Sequence, residues 1–180
     1  TQLQKSKAVE IVVVDGGSRD NTVELARLLG ARVLQTDASK AVQMNAGAAA
    51  SVGDVLLFLH ADTHLPDNFD TKVMAAVSQH GFCAGAFSLA IGSDVRGLRF
   101  IERVANWRSR FFQMPYGDQA LFVCRDLFDE IGGFPDLPIM EDFELIRRLR
   151  RKGKISILPD CVTTSPRRYL NFGIIKTWCL

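Results

Sequence analysis

Three groups of acidic residues stand where a carboxylate could do chemistry. Asp15 and Asp62 each follow an apolar run that reads as a buried strand, and Glu141-Asp142 begins a stretch whose apolar residues recur with helical spacing. Carboxylates in such places can accept hydrogen bonds from a nucleoside, hold a hard divalent cation, or take a proton from a hydroxyl group. Each also has a structural explanation, as a turn-capping or helix-capping acid.

The first group opens a short loop, Asp15-Gly16-Gly17-Ser18, directly after Ile11–Val14. Its glycines allow tight backbone geometry and the close approach of a ligand. The loop predicts either a site in which Asp15 accepts hydrogen bonds from a base or ribose, or a simple turn with a capping carboxylate. There is no GxGxxG pattern, so a dinucleotide-binding Rossmann site is disfavoured.

The second group, His60-Ala61-Asp62, follows the apolar run Val55–Leu59. Mg²⁺ and Mn²⁺ often take only one or two protein carboxylates when substrate phosphates supply the other ligands. Asp62 would therefore suffice beside a diphosphate, with His60 assisting as donor or ligand and His64 on the exit loop. The alternative is that Asp62 caps the next turn. A phosphatase with an aspartyl nucleophile is disfavoured, because His60 stands at the nucleophile position.

The third group, Glu141-Asp142, begins an amphipathic helix, where a general base and a favourable helix-dipole interaction are both reasonable roles.

Arg167 and Arg168 follow in a polar loop, where paired guanidinium groups suit phosphate or merely provide surface charge. The basic run Arg147–Lys152 predicts a solvated helix face, with weak attraction to anionic lipid as the minority interpretation.

The elements that must position these residues alternate between apolar strands and helices. This order predicts an α/β fold with a mostly parallel sheet and helices on both faces, and ligands at the carboxyl ends of the strands. We expect Leu25, Ala26, Leu28 and Leu29 to line the inner face of the first helix. We expect the cluster of Trp107, Phe111 and Phe112 to belong to the core rather than to a sugar platform.

Composition limits the classes of function. The chain has 180 residues, 47% of them hydrophobic, and a net charge of +2, which indicates one globular domain without a nucleic-acid footprint. The longest apolar runs are far shorter than the ~20 residues that span a bilayer. Four dispersed cysteines without a CxxC pair disfavour a disulfide framework or zinc site. We therefore expect a cytoplasmic protein, with peripheral contact at the inner membrane face as an option.

Seven short strings occur in the order, and with the residues, that family 2 glycosyltransferases show. The sequence resembles this family, whose fold is GT-A. The particular residues of its motifs are similar to those of the small bacterial subgroup associated with radical-SAM or arsenosugar proteins. The strings are Ile11–Thr22, Gln43–Ala48, Leu56–Pro66, Gly117–Gln119, Gly132–Phe134, Met140–Leu145 and Ser165–Tyr169.

The resemblance implies a donor site and a metal. Asp15, with Gly16, Gly17 and Ser18, would bind the nucleoside of a nucleotide-diphosphate sugar, with UDP as the expected nucleotide. Asp62 would be the acid of a DXD-type motif that holds Mn²⁺ or Mg²⁺, and His60 would stand beside the donor in place of the motif's first Asp. Arg167 and Arg168 would face the diphosphate.

The resemblance also implies the chemical step. Asp142, with Glu141 beside it, would act as the base that deprotonates an acceptor hydroxyl in a single inverting displacement. Asp118 and Gln119 would border the acceptor or the donor sugar.

The resemblance covers residues 1–180 as one GT-A-like domain, without the family's usual first strand and C-terminal tail. Two alternatives stay open. A sugar-1-phosphate nucleotidyltransferase would share the nucleotide cleft and metal, but would want a glycine-rich basic signature near its N-terminus. A non-catalytic nucleotide-binding module would bind nucleotide without turnover.

Overall fold

A computed structural model of the chain describes residues 9–36, 39–79 and 81–172, except for the side chains of Cys83, Arg168, Asn171 and Phe172. The strands are β1 (Val12–Asp15), β2 (Arg32–Gln35), β3 (Val55–Leu57), β4 (Thr63–His64), β5 (Phe82–Ile91), β6 (Phe122–Cys124) and β7 (Lys154–Thr164). The helices are α1 (Thr22–Leu28), α2 (Lys40–Ala50), α3 (Phe69–Val77), α4 (Arg96–Phe112), α5 (Arg125–Glu130), α6 (Glu141–Arg150) and α7 (Arg167–Phe172). A 3₁₀ turn at Gly117–Gln119, called here the Gly117 turn, precedes β6.

The strands form two sheets. β1 and β2 pair in parallel, and a five-stranded sheet has the order β3-β6-β5-β7-β4. In the larger sheet only β5 and β7 run parallel, while β3 and β6, β5 and β6, and β4 and β7 pair antiparallel. The prediction of a mostly parallel sheet is therefore wrong: the sheet is mixed. A strand that is buried on both faces has the same apolar pattern in either direction, so its pattern does not reveal the direction.

Helices cover both faces of the five-stranded sheet, as predicted. Side chains of α2, α5 and α6 pack with the Ala84 and Ala86 side of β5. Side chains of α3 and α4 pack on its other side with Phe87, Leu89 and Ile91. This alternation follows from the two-residue period of a strand. Within the described residues, no helix is both long and apolar enough to cross a membrane.

The prediction for the first helix is wrong in detail. Leu25, Leu28 and Leu29 are all exposed, and the half-buried apolar side chains of α1 are those of Val23 and Ala26. These two residues are three positions apart and so share one face. A helix of seven residues against a two-stranded sheet covers too little area to bury its leucines as well.

The prediction for the aromatic cluster is also wrong, because Trp107, Phe111 and Phe112 are exposed on α4. The helix is attached through its other face, where Asn106 makes two hydrogen bonds with the backbone of Leu89, of 2.7 and 2.9 Å. A carboxylate oxygen of Glu102 accepts a hydrogen bond from the Ile91 amide. The part of β5 that extends beyond its pairing with β6 thus receives its backbone partners from α4.

Candidate functional site

Two of the predicted acids meet at the Gly117 turn. Asp142 lies in the first turn of α6, and its Oδ2 accepts a hydrogen bond of 2.8 Å from the Gly117 amide. A Cβ atom on Gly117 would lie 3.2 Å from Nε2 of His60 and 3.3 Å from Oδ2 of Asp142. Because glycine has no Cβ atom, it allows the side chains of His60 and Asp142 to keep these positions. We call His60, Gly117, Asp118 and Asp142 the Gly117 cluster.

Backbone donors fix the carboxylate of Asp142. The Phe143 amide donates to Oδ1 at 2.8 Å, so each carboxylate oxygen accepts one backbone hydrogen bond. The chain enters α6 through Met140, which has a φ of +68°. These two hydrogen bonds fix the orientation of the Asp142 carboxylate at the start of α6.

Two buried polar atoms of the cluster lack partners. Nε2 of His60 and Oδ1 of Asp118 are excluded from solvent and make no hydrogen bond within the part of the chain that the structure describes. Burial and, next, the charge of Lys40 lower the pKa of His60, so its ring is neutral at pH 7. Unpaired buried polar atoms are costly, which makes this cluster a candidate for binding a polar ligand.

Asp118 has an unusual carboxyl group. Burial raises its pKa to about 6, against the opposing charge of Arg108, and the carboxylate of Asp142 adds to the rise. A carboxyl group with this pKa can donate a hydrogen bond in mildly acidic solution and accept one at higher pH. Buried carboxyl groups of this kind are typical of sites that bind or turn over a ligand.

Gln119, which the sequence predicts to border the acceptor or donor sugar, has its side chain bonded inside the protein. The residue is completely buried, its Nε2 donates to the carbonyl of Phe87 at 2.9 Å, and its Oε1 accepts from Oγ of Ser109 at 2.7 Å. The amide of Tyr116 also donates to Oε1, at 3.3 Å. Gln119 therefore braces the Gly117 turn from the protein side.

Glu141 faces a residue that the sequence analysis missed. Its buried carboxylate forms an ion pair of 3.1 Å with Nζ of Lys40, the first residue of α2. A lysine at a helix start carries no local sign of such a role, since only the tertiary fold brings it to α6. Glu141 is engaged by this ion pair, whereas Oδ2 of Asp142 and Nε2 of His60 both lie next to the position that a Cβ atom on Gly117 would take.

Asp62 and Arg167 line one open cavity of about 530 Å³, together with Ala61, His64 and Ser165. Strand pairing brings the two segments together, because Thr63 lies opposite Thr164 and the Ser165 amide donates to the carbonyl of Asp62 at 3.0 Å. The prediction that Arg167 and Arg168 lie in a polar loop is wrong, because they begin α7. The side chain of Arg168 lies outside the described part of the chain.

The cavity suits a cation that is only partly held by protein. Among the described residues no group of three or more His, Cys, Asp or Glu side chains could enclose a metal ion. Asp62 is a carboxylate in an open space with Arg167, so a diphosphate there would have room and a positive partner. This donor set fits Mg²⁺ or Mn²⁺ bound by one carboxylate plus phosphate oxygens.

The hydrogen-bond donors of the Asp15 loop bind the carboxylate of Asp15 itself. Asp15 is buried, and it accepts hydrogen bonds from the amides of Gly17 and Ser18 and from the hydroxyl of Ser18. The Ser18 hydroxyl is the main reason why the pKa of Asp15 lies below its usual value. Gly16, Gly17 and Ser18 themselves are exposed, so the loop offers its backbone, rather than the Asp15 side chain, to the surface.

Two of the strings that resemble the family, Gln43–Ala48 and Gly132–Phe134, are joined by hydrogen bonds. Asn45 of α2 donates from Nδ2 to the carbonyl of Phe134 at 2.8 Å and accepts from the Phe134 amide at 2.9 Å. Gly133 has a φ of +65°, and a Cβ there would lie 2.7 Å from Oδ1 of Asn45. The Gly132–Phe134 loop is thereby pinned to α2, the helix whose Lys40 reaches Glu141.

A family model described as glycosyl transferase family 2 matches residues 2–134. The "PGL/p-HBAD biosynthesis glycosyltransferase" of Mycobacterium bovis (strain BCG / Pasteur 1173P2) is 33% identical over 142 residues, covering 69% of this chain and 51% of that protein. The "4,4'-diaponeurosporenoate glycosyltransferase" of Staphylococcus haemolyticus is 37% identical over 70 residues, covering 34% and 19%. The chain spans about half the length of the first of these relatives and a fifth of the second.

Solved structures share the fold at low identity. S. aureus TarS 1-349 in complex with UDP-GlcNAc superposes with a TM-score of 0.71 at 20% identity, covering 91% of this chain and 52% of that one. Glucosyl-3-phosphoglycerate synthase from Mycobacterium tuberculosis, with Mn²⁺, UDP-glucose and phosphoglyceric acid, gives 0.61 at 18%, covering 90% and 63%. The mannosyltransferase PcManGT from Pyrobaculum calidifontis, with GDP-Man and Mn²⁺, gives 0.62 at 19%, covering 86% and 47%.

Proposed function

Because the chain belongs to glycosyl transferase family 2 and has the predicted GT-A fold, we propose that it transfers a sugar from a nucleotide-diphosphate donor to an acceptor hydroxyl. The observation that carries this proposal is the Gly117 cluster, in which Asp142 lies beside two unpartnered buried polar atoms. The cavity of Asp62 and Arg167 includes Ala61, the residue directly after His60, so donor phosphates and an acceptor base would be neighbours.

For the donor we propose a UDP-sugar held by its diphosphate. Two of the similar structures contain UDP-sugars and one contains GDP-Man, so the nucleotide is the first property to measure. Asp62 would hold Mn²⁺ or Mg²⁺, which neutralises charge on a diphosphate when bound. Arg167 supplies a permanent positive charge in the same cavity.

For the chemical step we propose Asp142 as the general base. The acceptor oxygen forms its bond to the anomeric carbon while the bond to the diphosphate breaks, and Asp142 takes the hydroxyl proton. The reaction is a single displacement that inverts the anomeric centre. Arg167 stabilises the charge that develops on the leaving diphosphate, which is where electrostatic catalysis contributes most. We propose that Glu141, held by Lys40, positions the start of α6 rather than reacting.

His60 and Asp118 are proposed to contact sugar hydroxyls. A neutral imidazole can exchange hydrogen bonds with an alcohol, and a carboxyl group with a pKa of about 6 donates to one below that pH and accepts from one above it. Asp15 and its loop are proposed to receive the nucleoside, through the exposed backbone of Gly16 and Gly17. The subgroup named above and a cytoplasmic location remain expectations of the same proposal.

The test offers the chain both kinds of substrate. UDP-glucose, UDP-GlcNAc and GDP-mannose are supplied with Mn²⁺, and release of UDP or GDP is followed with water and simple alcohols as acceptors. In parallel, UTP and glucose 1-phosphate are supplied, and release of pyrophosphate is followed. We expect nucleoside diphosphate from one donor and no pyrophosphate. Pyrophosphate release alone would establish the nucleotidyltransferase alternative, and binding of a donor without turnover would establish the non-catalytic one.

A further inference from the structure

The outer face of α4 carries four exposed aromatic side chains. Phe100, Trp107, Phe111 and Phe112 are 60%, 53%, 72% and 52% exposed. Phe100, Trp107 and Phe111 are spaced by seven and four residues, which places them on one side of a helix. The Trp107 ring lies 5.5 Å from that of Phe111 and 5.2 Å from that of Phe112, so three rings form one cluster. We call these four residues the aromatic face.

The charge around the aromatic face is positive. Arg96, Arg103 and Arg110 are exposed on the same helix. The acid of α4, Glu102, is buried and bonded to Arg99 and to the Ile91 amide, so it adds no negative charge to the outer surface. The exposed carboxylate of Asp94, just before the helix, pairs with Arg99 at 3.4 Å. A side with aromatic rings and exposed arginines is complementary to a negatively charged apolar surface.

The helix is a firm support for this face. Leu98, Ile101 and Ala105 are buried against the sheet, and Asn106 bonds to the backbone of β5. Because the helix is fixed, its exposed aromatic side chains cannot turn inward, and their apolar area stays in water unless a binding partner covers it. The 17 residues of α4 include five arginines, so the helix can lie on a bilayer but does not cross one.

We propose that the outer face of α4 binds the surface of an anionic lipid membrane. The aromatic rings would lie at the level of the lipid head groups, where Trp and Phe side chains are stable. The arginines would face the negative head groups, each contributing attraction near the surface. A second copy of the chain is a poorer occupant, because a two-fold contact would bring the same arginines against each other.

The basic run at the end of α6 is a weaker candidate for the same role. Arg147 and Arg148 pair with Glu144, and Lys152 pairs with Glu130. Glu144 and Glu130 thus pair with three of the five basic residues of that run, and no large apolar side chain of α6 is exposed. The outer face of α4 combines unbalanced charge with apolar area, which is the combination that membrane binding requires.

The position of α4 joins this surface to the proposed acceptor side. Arg108 donates to the carbonyl of Met114 at 3.0 Å and stacks 3.5 Å over the ring of Tyr116, and Ser109 bonds to Gln119. The helix thus braces the Gly117 turn directly. If the proposed function holds, a membrane-bound protein would present its acceptor site close to the lipid surface. Membrane binding itself does not depend on sugar transfer, so the two proposals fail separately.

The experiment measures sedimentation of the full chain with vesicles of phosphatidylcholine, with and without phosphatidylglycerol. The test variant is Trp107→Ser/Phe111→Ser. The matched control is Leu28→Ser/Val52→Ser, which removes two apolar side chains that are 84% and 82% exposed elsewhere. We expect binding to the anionic vesicles only, a loss of about tenfold or more in the test variant, and no loss in the control. Arg96→Ser/Arg103→Ser should weaken binding by roughly fivefold for each arginine, and added salt should do the same.

Fluorescence gives a second readout in a chain that keeps the aromatic face. The sequence has two tryptophans, so Trp178→Phe leaves Trp107 as the reporter. We expect its emission to shift to the blue, and brominated lipid to quench it, with anionic vesicles alone. The proposal is overturned if the chain does not bind anionic vesicles, or if Trp107→Ser/Phe111→Ser binds them as strongly as the control variant does. It is also overturned if the chain is a dimer that this variant dissociates and that does not bind vesicles.

Discussion

The Asp15 loop and the Gly117 cluster both place carboxyl groups at the ends of strands or turns, but they satisfy them differently. Asp15 receives its hydrogen bonds from Gly17 and Ser18, within three residues. The Gly117 cluster joins residues from three distant segments and leaves Nε2 of His60 and Oδ1 of Asp118 without partners among the residues that the structure describes. The first arrangement maintains the shape of a loop, whereas the second keeps polar atoms available for a ligand.

The two arrangements have opposite effects on the pKa of their acids. Hydrogen bonds from Ser18 lower the pKa of Asp15, and burial raises that of Asp118 to about 6. A buried polar atom without a partner costs about 1–3 kcal/mol. The Gly117 cluster therefore lowers the stability of the fold, while the Asp15 loop contributes to it. Such a cost is expected where a protein binds or transforms a ligand.

Replacing the base should have the largest effect. We expect Asp142→Asn to lower turnover by about 10²–10⁴-fold, since the amide cannot accept the acceptor proton. Donor affinity, measured by calorimetry, should stay within about twofold, because the base acts only in the chemical step. Asp126→Asn, at an exposed acid of α5, is the matched control. Near-normal turnover in Asp142→Asn would remove this residue from the mechanism.

Filling the space at Gly117 should have the next largest effect. The added methyl group of Gly117→Ala would displace the His60 ring and the Asp142 carboxylate by a few tenths of an ångström. We expect turnover to fall by about tenfold with little change in the thermal midpoint, since a reacting group is misplaced while its neighbours are side-chain ends that can move. In the control Gly53→Ala, the nearest atom would lie at an ordinary 3.6 Å. Equal kinetics in the two variants would show that the positions of His60 and Asp142 are not critical.

Asp118 should make stability fall as pH rises. An acid whose pKa is raised on folding, here from 3.8 to about 6, binds more protons in the folded than in the unfolded state. Its contribution is therefore fully present below pH 3.8 and is lost as pH rises through about 6. Asp118→Asn should be more stable than the parent at pH 8 by about 1–3 kcal/mol, with a smaller difference at pH 5. Urea unfolding at the two pH values measures this, and a pH-independent difference would refute the assignment.

The smallest effect should come from the Asp15 loop. Removing the hydroxyl in Ser18→Ala should raise the pKa of Asp15 towards its ordinary value, which NMR titration of the carboxyl carbon can follow. Because a lowered pKa stabilises the fold above the unfolded value of 3.8, the thermal midpoint should fall slightly at pH 7, and this loss should shrink as the pH is lowered below 3.8. Ser78→Ala, at an exposed serine of the helix end, is the control. An unchanged pKa of Asp15 would mean that the loop does not hold its charge.

Local patterns predicted the elements well and their assembly less well. Gly30, with a φ of +81°, ends the first helical segment as expected, and β5 spans Phe82–Ile91 as predicted. These features depend on neighbours in the chain, which the sequence displays. The direction of β6 and the exposure of Leu28 and Trp107 depend on what lies opposite each element, which no local pattern contains.

The site residues show the same difference between features that depend on neighbours in the chain and features that depend on tertiary contacts. Asp15, Asp62 and Asp142 could be singled out because each stands at the end of an apolar strand or the start of a helix. Lys40 could not, since its ion pair with Glu141 joins positions about a hundred residues apart. The bracing role of Gln119 could not be predicted either, because its place in a polar string does not reveal that both ends of its amide are bonded inside the core.

The most direct test of the central claim is calorimetric titration of UDP and of GDP into the full chain with Mn²⁺, repeated with EDTA. The account predicts that one nucleotide binds, that EDTA removes the binding, and that Asp62→Ala weakens it by about tenfold or more, because phosphate and carboxylate share the metal. Asp129→Ala, at an exposed acid of α5, should bind as the parent does. Binding of neither nucleotide by the folded chain, or equal affinity in Asp62→Ala, would contradict it.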